Sequence, residues 1–132
     1  DQMWRAVRDY ADIVFLNEEE ASALTGLPPK EALAAVAAHA RTVIVKLGAK
    51  GSLICHDGVC DEIGVHPTEC LDTTGAGDAY AAGYLYGWVR GWKPRSCGEL
   101  GARVASLAVG QIGAVVRDQA ALQAAISAVA GE

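Results

Sequence analysis

No stretch of this sequence concentrates positive charge. Its 11 lysines and arginines stand singly or in scattered pairs against 16 acidic residues, for a net charge of −5 and a sequence pI near 5.1. Nucleic acid and anionic membrane both attract concentrated positive charge, so neither is expected as a partner. Apolar runs of membrane-spanning length are missing too, and the expectation is a cytoplasmic protein without a secretory signal. The cysteines (Cys55, Cys60, Cys70 and Cys97) show no CxxC spacing. A Cys/His metal site using His56 and His66 would lack zinc-type ligand spacing, so reduced thiols are the expectation. There is no internal repeat and no low-complexity linker. At 132 residues the length suits one modest domain.

What is present reads as alternating strands and helices. Residues 3–10 have the look of a helix end, and Asp12–Leu16 reads as a buried strand finishing at Asn17. A short helix over about 18–25 is closed by Gly26, and Pro28 and Pro29 open an alanine-rich helix to about Ala40. Thr42–Leu47 is a second apolar strand, stopped by Gly48, so strand, helix and strand form a βαβ pattern with parallel strands. Asp57-Gly58 between Ser52–His56 and Val59–Val65 signals a tight hairpin. Helices follow from about Asp78 to Arg90, Arg95 to Gln111 and Asp118 to Ala130. The pattern predicts an α/β domain with helices flanking a sheet.

The richest chemistry lies in Asp72-Thr-Thr-Gly-Ala-Gly-Asp78 at the mouth of the first of these three helices. Such a turn aims several backbone N–H groups at one point, and the positive end of the helix dipole reinforces them. It suits an anion, or negative charge developing during reaction. Asp78 at its edge adds a base, so the turn reads as a phosphoryl-transfer site. A dinucleotide fingerprint is rejected: position 80 is Tyr where a third small residue is needed, and Pro67 and Glu69 interrupt any strand leading in. Leu47-Gly48-Ala49-Lys50-Gly51 is not a Walker A loop, because the spacing of its glycines and lysine is wrong. On its own it reads as a turn whose glycines supply positive φ.

Asp-Thr-Thr-Gly-Ala-Gly-Asp resembles the C-terminal signature of the ribokinase-like (PfkB) carbohydrate and nucleoside kinases. The resemblance implies a ribokinase-like three-layer α/β/α sandwich, of which this chain would hold only the C-terminal part: a central, mostly parallel sheet, a hairpin and flanking helices. The upstream acceptor-binding part and its lid, which often pairs subunits in relatives, would lie outside residues 1–132. The expectation is thus a fragment, inactive by itself, of a kinase that could dimerise through that lid. The implied roles are an anion hole at Gly75, Ala76 and Gly77, and a catalytic base at Asp78.

Other matches follow in the family's order. Asn17 and Glu20, at i and i+3, share a helix face where a strand gives way to a helix. They read either as an exposed acidic first turn or as holders of hydrated magnesium. The resemblance to the family's Asn-x-x-Glu motif implies a role with Mg²⁺ and phosphates. It also implies that the turn at Gly48 and Gly51 lies against ATP. Lys46 either reaches a phosphate or is a solvent-facing strand end. Asp72 and Thr74 would help to enclose a monovalent cation, K⁺ in kind, together with Ile112-Gly113-Ala114. For Asp72 the alternative is a turn cap. The segment Cys97–Ser106 resembles the adenosine-kinase-like branch, which points to a nucleoside acceptor, with a sugar such as ribose or fructose as runner-up. A non-catalytic, nucleotide-binding fragment is the second alternative. His39, His56 and His66 have no catalytic role in this reading, and Trp88 and Trp92 read as packing or as an exposed interface patch.

Overall fold

The computed structural model describes residues 2–64, 76–109 and 119–130. They form two compact units, residues 1–62 and 63–132.

In the first unit the order is α1 (Gln2–Asp9), β1 (Ile13–Asn17), α2 (Glu18–Thr25), α3 (Pro29–Ala37), β2 (Thr42–Lys46), a 3₁₀ turn (Gly48–Lys50), β3 (Ser52–His56) and β4 (Val59–Ile63). The strands lie in chain order in one mixed sheet. β1 and β2 run parallel, with Ile13 opposite Thr42 and Asn17 opposite Lys46. The βαβ expectation is met, with two short helices in the crossover in place of one. β2 and β3 run antiparallel.

Val43 and Val45 on one side of β2 join Leu16, Leu24, Ala32, Leu33 and Val36 in a single core. Ile44, on the other side of the pleat, is also fully buried. A strand buried on both faces explains the unbroken apolar run Val43–Val45. Trp4 of α1 closes the core by donating its indole N–H to the Leu24 carbonyl at 2.9 Å. His39 is exposed in the turn that ends α3, its ring edge-on to Trp4.

The β3–β4 hairpin turns at Asp57-Gly58, whose φ values are 48° and 83°. Two successive positive φ values are what a type I′ turn needs, and Asp-Gly supplies them at low steric cost. The turn is tied to the start of β2: Arg41 Nε and Nη2 donate to Asp57 Oδ1 and Oδ2 at 3.0 and 3.3 Å. Next to it, Thr42 Oγ1 and His56 Nδ1 lie 2.6 Å apart.

The cysteine expectation is corrected here. Cys55 and Cys60 form a disulfide across the hairpin. A two-residue turn at 57–58 makes 55 and 60 a directly opposed pair, and their Cα atoms are 4.1 Å apart. The proximity comes from the turn, so a search for CxxC spacing passes over it. Cys97 is free and buried, and burial pushes its thiol up to about 11. Cys70 and His66 lie outside the described residues.

The second unit holds α4 (Ala76–Val89), α5 (Pro94–Val109) and α6 (Gln119–Ala130). Ala79, Leu100, Val104, Ala108, Ala125 and Val129 make its core. Trp92 packs edge-to-face on Tyr86, whose ring also carries the Arg90 guanidinium at 3.5 Å. Trp88 is 46 % exposed, so the two tryptophans divide between packing and surface. No described helix is long and apolar enough to cross a membrane.

Candidate active site

In the first unit, five of the anticipated residues gather at the C-terminal edge of the parallel strands, the usual location of sites in open α/β sheets. Asn17 ends β1 and stands in register with Lys46 at the end of β2, while Ser52 opens β3 on Lys46's other side. Asn17 is also the N-cap of α2. Its Oδ1 accepts from the Glu20 N–H at 2.7 Å, and Glu20 Oε1 accepts from the Asn17 N–H at 2.9 Å. This is a reciprocal capping box, and its signal, a short polar residue followed three positions later by Glu, was available in the sequence. Three glutamates fill the first turn of α2, a favourable place for negative charge at a helix start. One oxygen of Glu20 is committed to the cap.

Beyond Lys46 the chain enters the 3₁₀ turn. Leu47 N–H donates to the Gly51 carbonyl at 2.8 Å, and Gly51 N–H donates to that of Gly48 at 3.2 Å. Gly48 has φ 59° and Gly51 φ 94°. The Gly51 pair of angles, φ 94° with ψ −138°, belongs to a region open in practice only to glycine. Nothing lies within 4 Å of where a Gly48 Cβ would stand, so this turn presents bare backbone beside open space. Lys46 is half-buried, held by its place in the sheet.

In the second unit the helix expected at Asp78 begins two residues earlier, with Ala76 and Gly77 in the first turn of α4. Asp78 is exposed and is the one acidic residue of that turn, while Ala79 and Tyr80 behind it are buried. A 14-residue helix that is otherwise apolar thus carries a single carboxylate at its N-terminus. Negative charge there is stabilised by the helix dipole and the free N–H groups of the first turn. Gly75, Asp72 and Thr74, and also Ile112-Gly113-Ala114, lie outside the described residues. Among the described residues no group of three or more His, Cys, Asp or Glu is placed to hold a metal ion directly. A cation held through water by Asn17 and Glu20 needs no such group.

Sequence reasoning did not pick out the contact between α4 and α5. A Cβ on Gly83 would stand 2.9 Å from the Gly101 Cα, and one on Gly101 would stand 2.9 Å from the Tyr80 carbonyl oxygen. Both glycines are spaces required by a close helix crossing.

Comparison with known proteins shows the family and the fold. Residues 1–120 match the model of the pfkB family carbohydrate kinases. A cytidine kinase from Thermococcus kodakarensis is 36 % identical over 102 residues, which cover 74 % of this chain and 36 % of that protein. The structure of adenosine kinase from Sinorhizobium meliloti superposes with a TM-score of 0.88 at 34 % identity, covering 97 % of this chain and 40 % of that one. A fructokinase double mutant from Vibrio cholerae O395, with fructose, ADP and potassium bound, superposes with a TM-score of 0.80 at 33 % identity over 92 % of this chain and 42 % of that one. The chain therefore spans about a third to two fifths of the length of these proteins. The likeness to solved ribokinase-like structures bears out the expected fold class. This chain belongs to the pfkB family of carbohydrate kinases.

Proposed function

We propose that residues 1–132 are the C-terminal, nucleotide-binding part of a single ribokinase-like kinase domain that moves the γ-phosphoryl group of ATP to a hydroxyl of an adenosine-like nucleoside. The observation that carries this reading is Asp78, exposed in the first turn of an otherwise apolar helix directly after Gly75-Ala76-Gly77. Phosphoryl transfer asks mainly for positioning and for stabilisation of charge. Asp78 accepts the proton of the acceptor hydroxyl, that oxygen bonds to the γ-phosphorus, and the bond from the γ-phosphorus to the bridging oxygen breaks to release ADP. The backbone N–H groups of Gly75, Ala76 and Gly77 meet the charge on the transferring group. One preorganised donor of this kind contributes about 3 kcal/mol in comparable sites.

At the other half of the site, Gly48 and Gly51 let the nucleotide lie against bare backbone, and the Lys46 ammonium meets a phosphate. Asn17 and Glu20 fit a hydrated magnesium ion: the capping box holds both side chains in place and leaves one Glu20 oxygen for a metal-bound water. Magnesium, when bound, neutralises charge shared between the β- and γ-phosphates. Asp72 and Thr74 contribute to a monovalent cation site, a reading supported by the potassium in the fructokinase structure. A cytoplasmic setting is part of the same reading, since ATP is the donor. The upstream part supplies the acceptor platform and the lid through which two copies would pair. The 132-residue chain alone then binds ATP without turning it over.

The relatives include kinases named for a nucleoside and for a sugar, so a sugar acceptor is the second reading. The test is ADP release by the full-length polypeptide with Mg-ATP and adenosine, ribose, fructose or no acceptor. Turnover with adenosine, lost in Asp78→Asn while the fold is kept, is the expected result. Full activity of Asp78→Asn would remove the base assignment, and turnover with a sugar alone would move the acceptor to the second reading.

A further inference from the structure

Gly101 belongs to α5, yet the nearest atoms to its missing side chain belong to the first turns of α4. A Cβ there would stand 2.9 Å from the Tyr80 carbonyl oxygen and 3.2 Å from both Tyr80 Cδ atoms. The contact is reciprocal one turn further along: a Cβ on Gly83 would meet Gly101 Cα at 2.9 Å, Gly101 N at 3.0 Å and the Leu100 carbonyl oxygen at 3.0 Å. In both directions the obstacle is backbone, which cannot rotate aside as a flexible side chain would. Gly87, near the far end of α4, is different, because a Cβ there would meet the Trp92 ring and Cys97 Sγ. At these glycines the helices touch main chain to main chain from Tyr80 to Gly83, in the half of α4 that carries Asp78.

We infer that Gly101 is a positioning residue for the reaction proposed above: through Tyr80 it sets where the first turn of α4, and so the Asp78 carboxylate, stands. Asp78 is two residues from Tyr80, about 3 Å along the helix axis. A helix moves as a rigid rod over that distance, so any displacement forced at Tyr80 appears at Asp78 almost undiminished. Asp78 itself is exposed and does not form the contact, so its position is inherited from the buried face behind it. A shift of about 1 Å in a reacting group can lower a rate by about 100-fold. The 3₁₀ turn at Gly48 lies in the other unit, so a change at the crossing acts on the base more than on that contact with the nucleotide.

The inference depends on the proposed role of Asp78 for its catalytic meaning but not for its geometry, and the test separates the two. Backbone amide resonances of the 132-residue chain are compared between the unmodified form, Gly101→Ala and Val129→Ala. Val129 is buried in the same core from α6, and its variant controls for lost stability. In the full-length polypeptide, kcat and KM for ATP are measured for the same variants beside Asp78→Asn. The expected result is that Gly101→Ala displaces the Gly77–Ala79 resonances and lowers kcat about 10- to 100-fold with KM for ATP held within about twofold. Val129→Ala does neither. Unmoved 77–79 resonances in Gly101→Ala overturn the inference whatever Asp78→Asn does. Displaced resonances with unchanged kcat, beside an inactive Asp78→Asn, overturn the positioning role and leave the base assignment standing. Full activity of Asp78→Asn overturns both the base and the catalytic meaning of Gly101. Should Gly101→Ala fail to fold, the unmodified chain decides: cross-relaxation between the Gly101 Hα and Tyr80 ring protons is expected, and its absence overturns the contact.

Discussion

At the scale of single residues, Asp57 combines two demands that a substitution can separate. Its φ of 48° needs a residue at ease in left-handed backbone, and its carboxylate is paired with Arg41. The Arg41 guanidinium, by hydrogen bond first and by charge second, holds the Asp57 carboxyl below its ordinary range. A depressed folded-state pKa adds stability above the unfolded-state value, near pH 4, which is lost as the pH falls through the folded value. Both side chains are more than half exposed, so the effect is small and screened by salt. Asp57→Asn is expected to keep the turn and to unfold with a weaker acid dependence below about pH 4. Asp57→Ala should lower the melting temperature further, because alanine resists positive φ. Thermal melts across that pH range check both.

The cysteines give a second residue-scale expectation. Cys60 is exposed and bonded to buried Cys55, whereas Cys97 is buried with its thiol pushed up to about 11. An alkylating reagent applied to the folded chain at neutral pH should leave all three unmodified. After mild reduction Cys60 should react first, since the thiolate is the reactive form and access governs its rate. Peptide mass mapping reads the order, and prompt labelling of Cys60 without reductant would show the pair open.

At the scale of elements, the capping box of α2 and the close packing of α4 set measurable costs. Asn17→Ala removes one hydrogen bond of the cap and should destabilise by about 1 kcal/mol. If Asn17 also serves a hydrated cation, the same change weakens Mg-ATP binding beyond that loss, and Asn17→Ser, another good N-cap, should recover stability more than binding. Calorimetric titration beside denaturant melts separates the two. A Cβ on Gly87 would stand 2.8 Å from Trp92 Cε3 and 3.0 Å from Cys97 Sγ. Gly87→Ala should cost about 1–3 kcal/mol as an overpacked position. It should also alter Trp92 fluorescence by disturbing its packing on Tyr86, whereas α6 should keep its protection from hydrogen exchange.

At the scale of the whole molecule, the residues that carry the proposed chemistry lie in different compact units. Asn17, Glu20, Lys46 and the glycine turn are in the first, and Gly77 and Asp78 are in the second. The chain spans about two fifths of the solved kinases it resembles. Nucleotide binding is therefore the activity to look for in residues 1–132 themselves. ATP should bind to the chain, with Lys46→Ala and Gly51→Val each weakening it. Lys46→Ala removes a charge, and Gly51→Val forbids the backbone conformation of the turn. No binding by the intact chain in calorimetry would count against the nucleotide-binding assignment.

Much of this organisation was legible from local chemistry. Alternation of apolar strands and capped helices places each element within a few residues of where it forms. Asp-Gly specifies a two-residue hairpin because few other pairs accept two positive φ values, and a short polar residue followed three positions later by Glu specifies the capping box at Asn17 and Glu20. These features depend on neighbours in the chain, which is why the sequence by itself determined them. What only the tertiary structure decided depends on residues far apart in the chain. Gly101 reads in sequence only as part of the segment Cys97–Ser106 that resembles the adenosine-kinase-like branch, and only the crossing of α5 on α4 shows that it makes room for the Tyr80 backbone. Cys55 and Cys60 become partners through the register of two strands, and Lys46 comes to lie beside Asn17 because β1 and β2 pair in parallel across an intervening pair of helices. Composition and spacing carry no information on such distances, since they are set by how the buried faces pack.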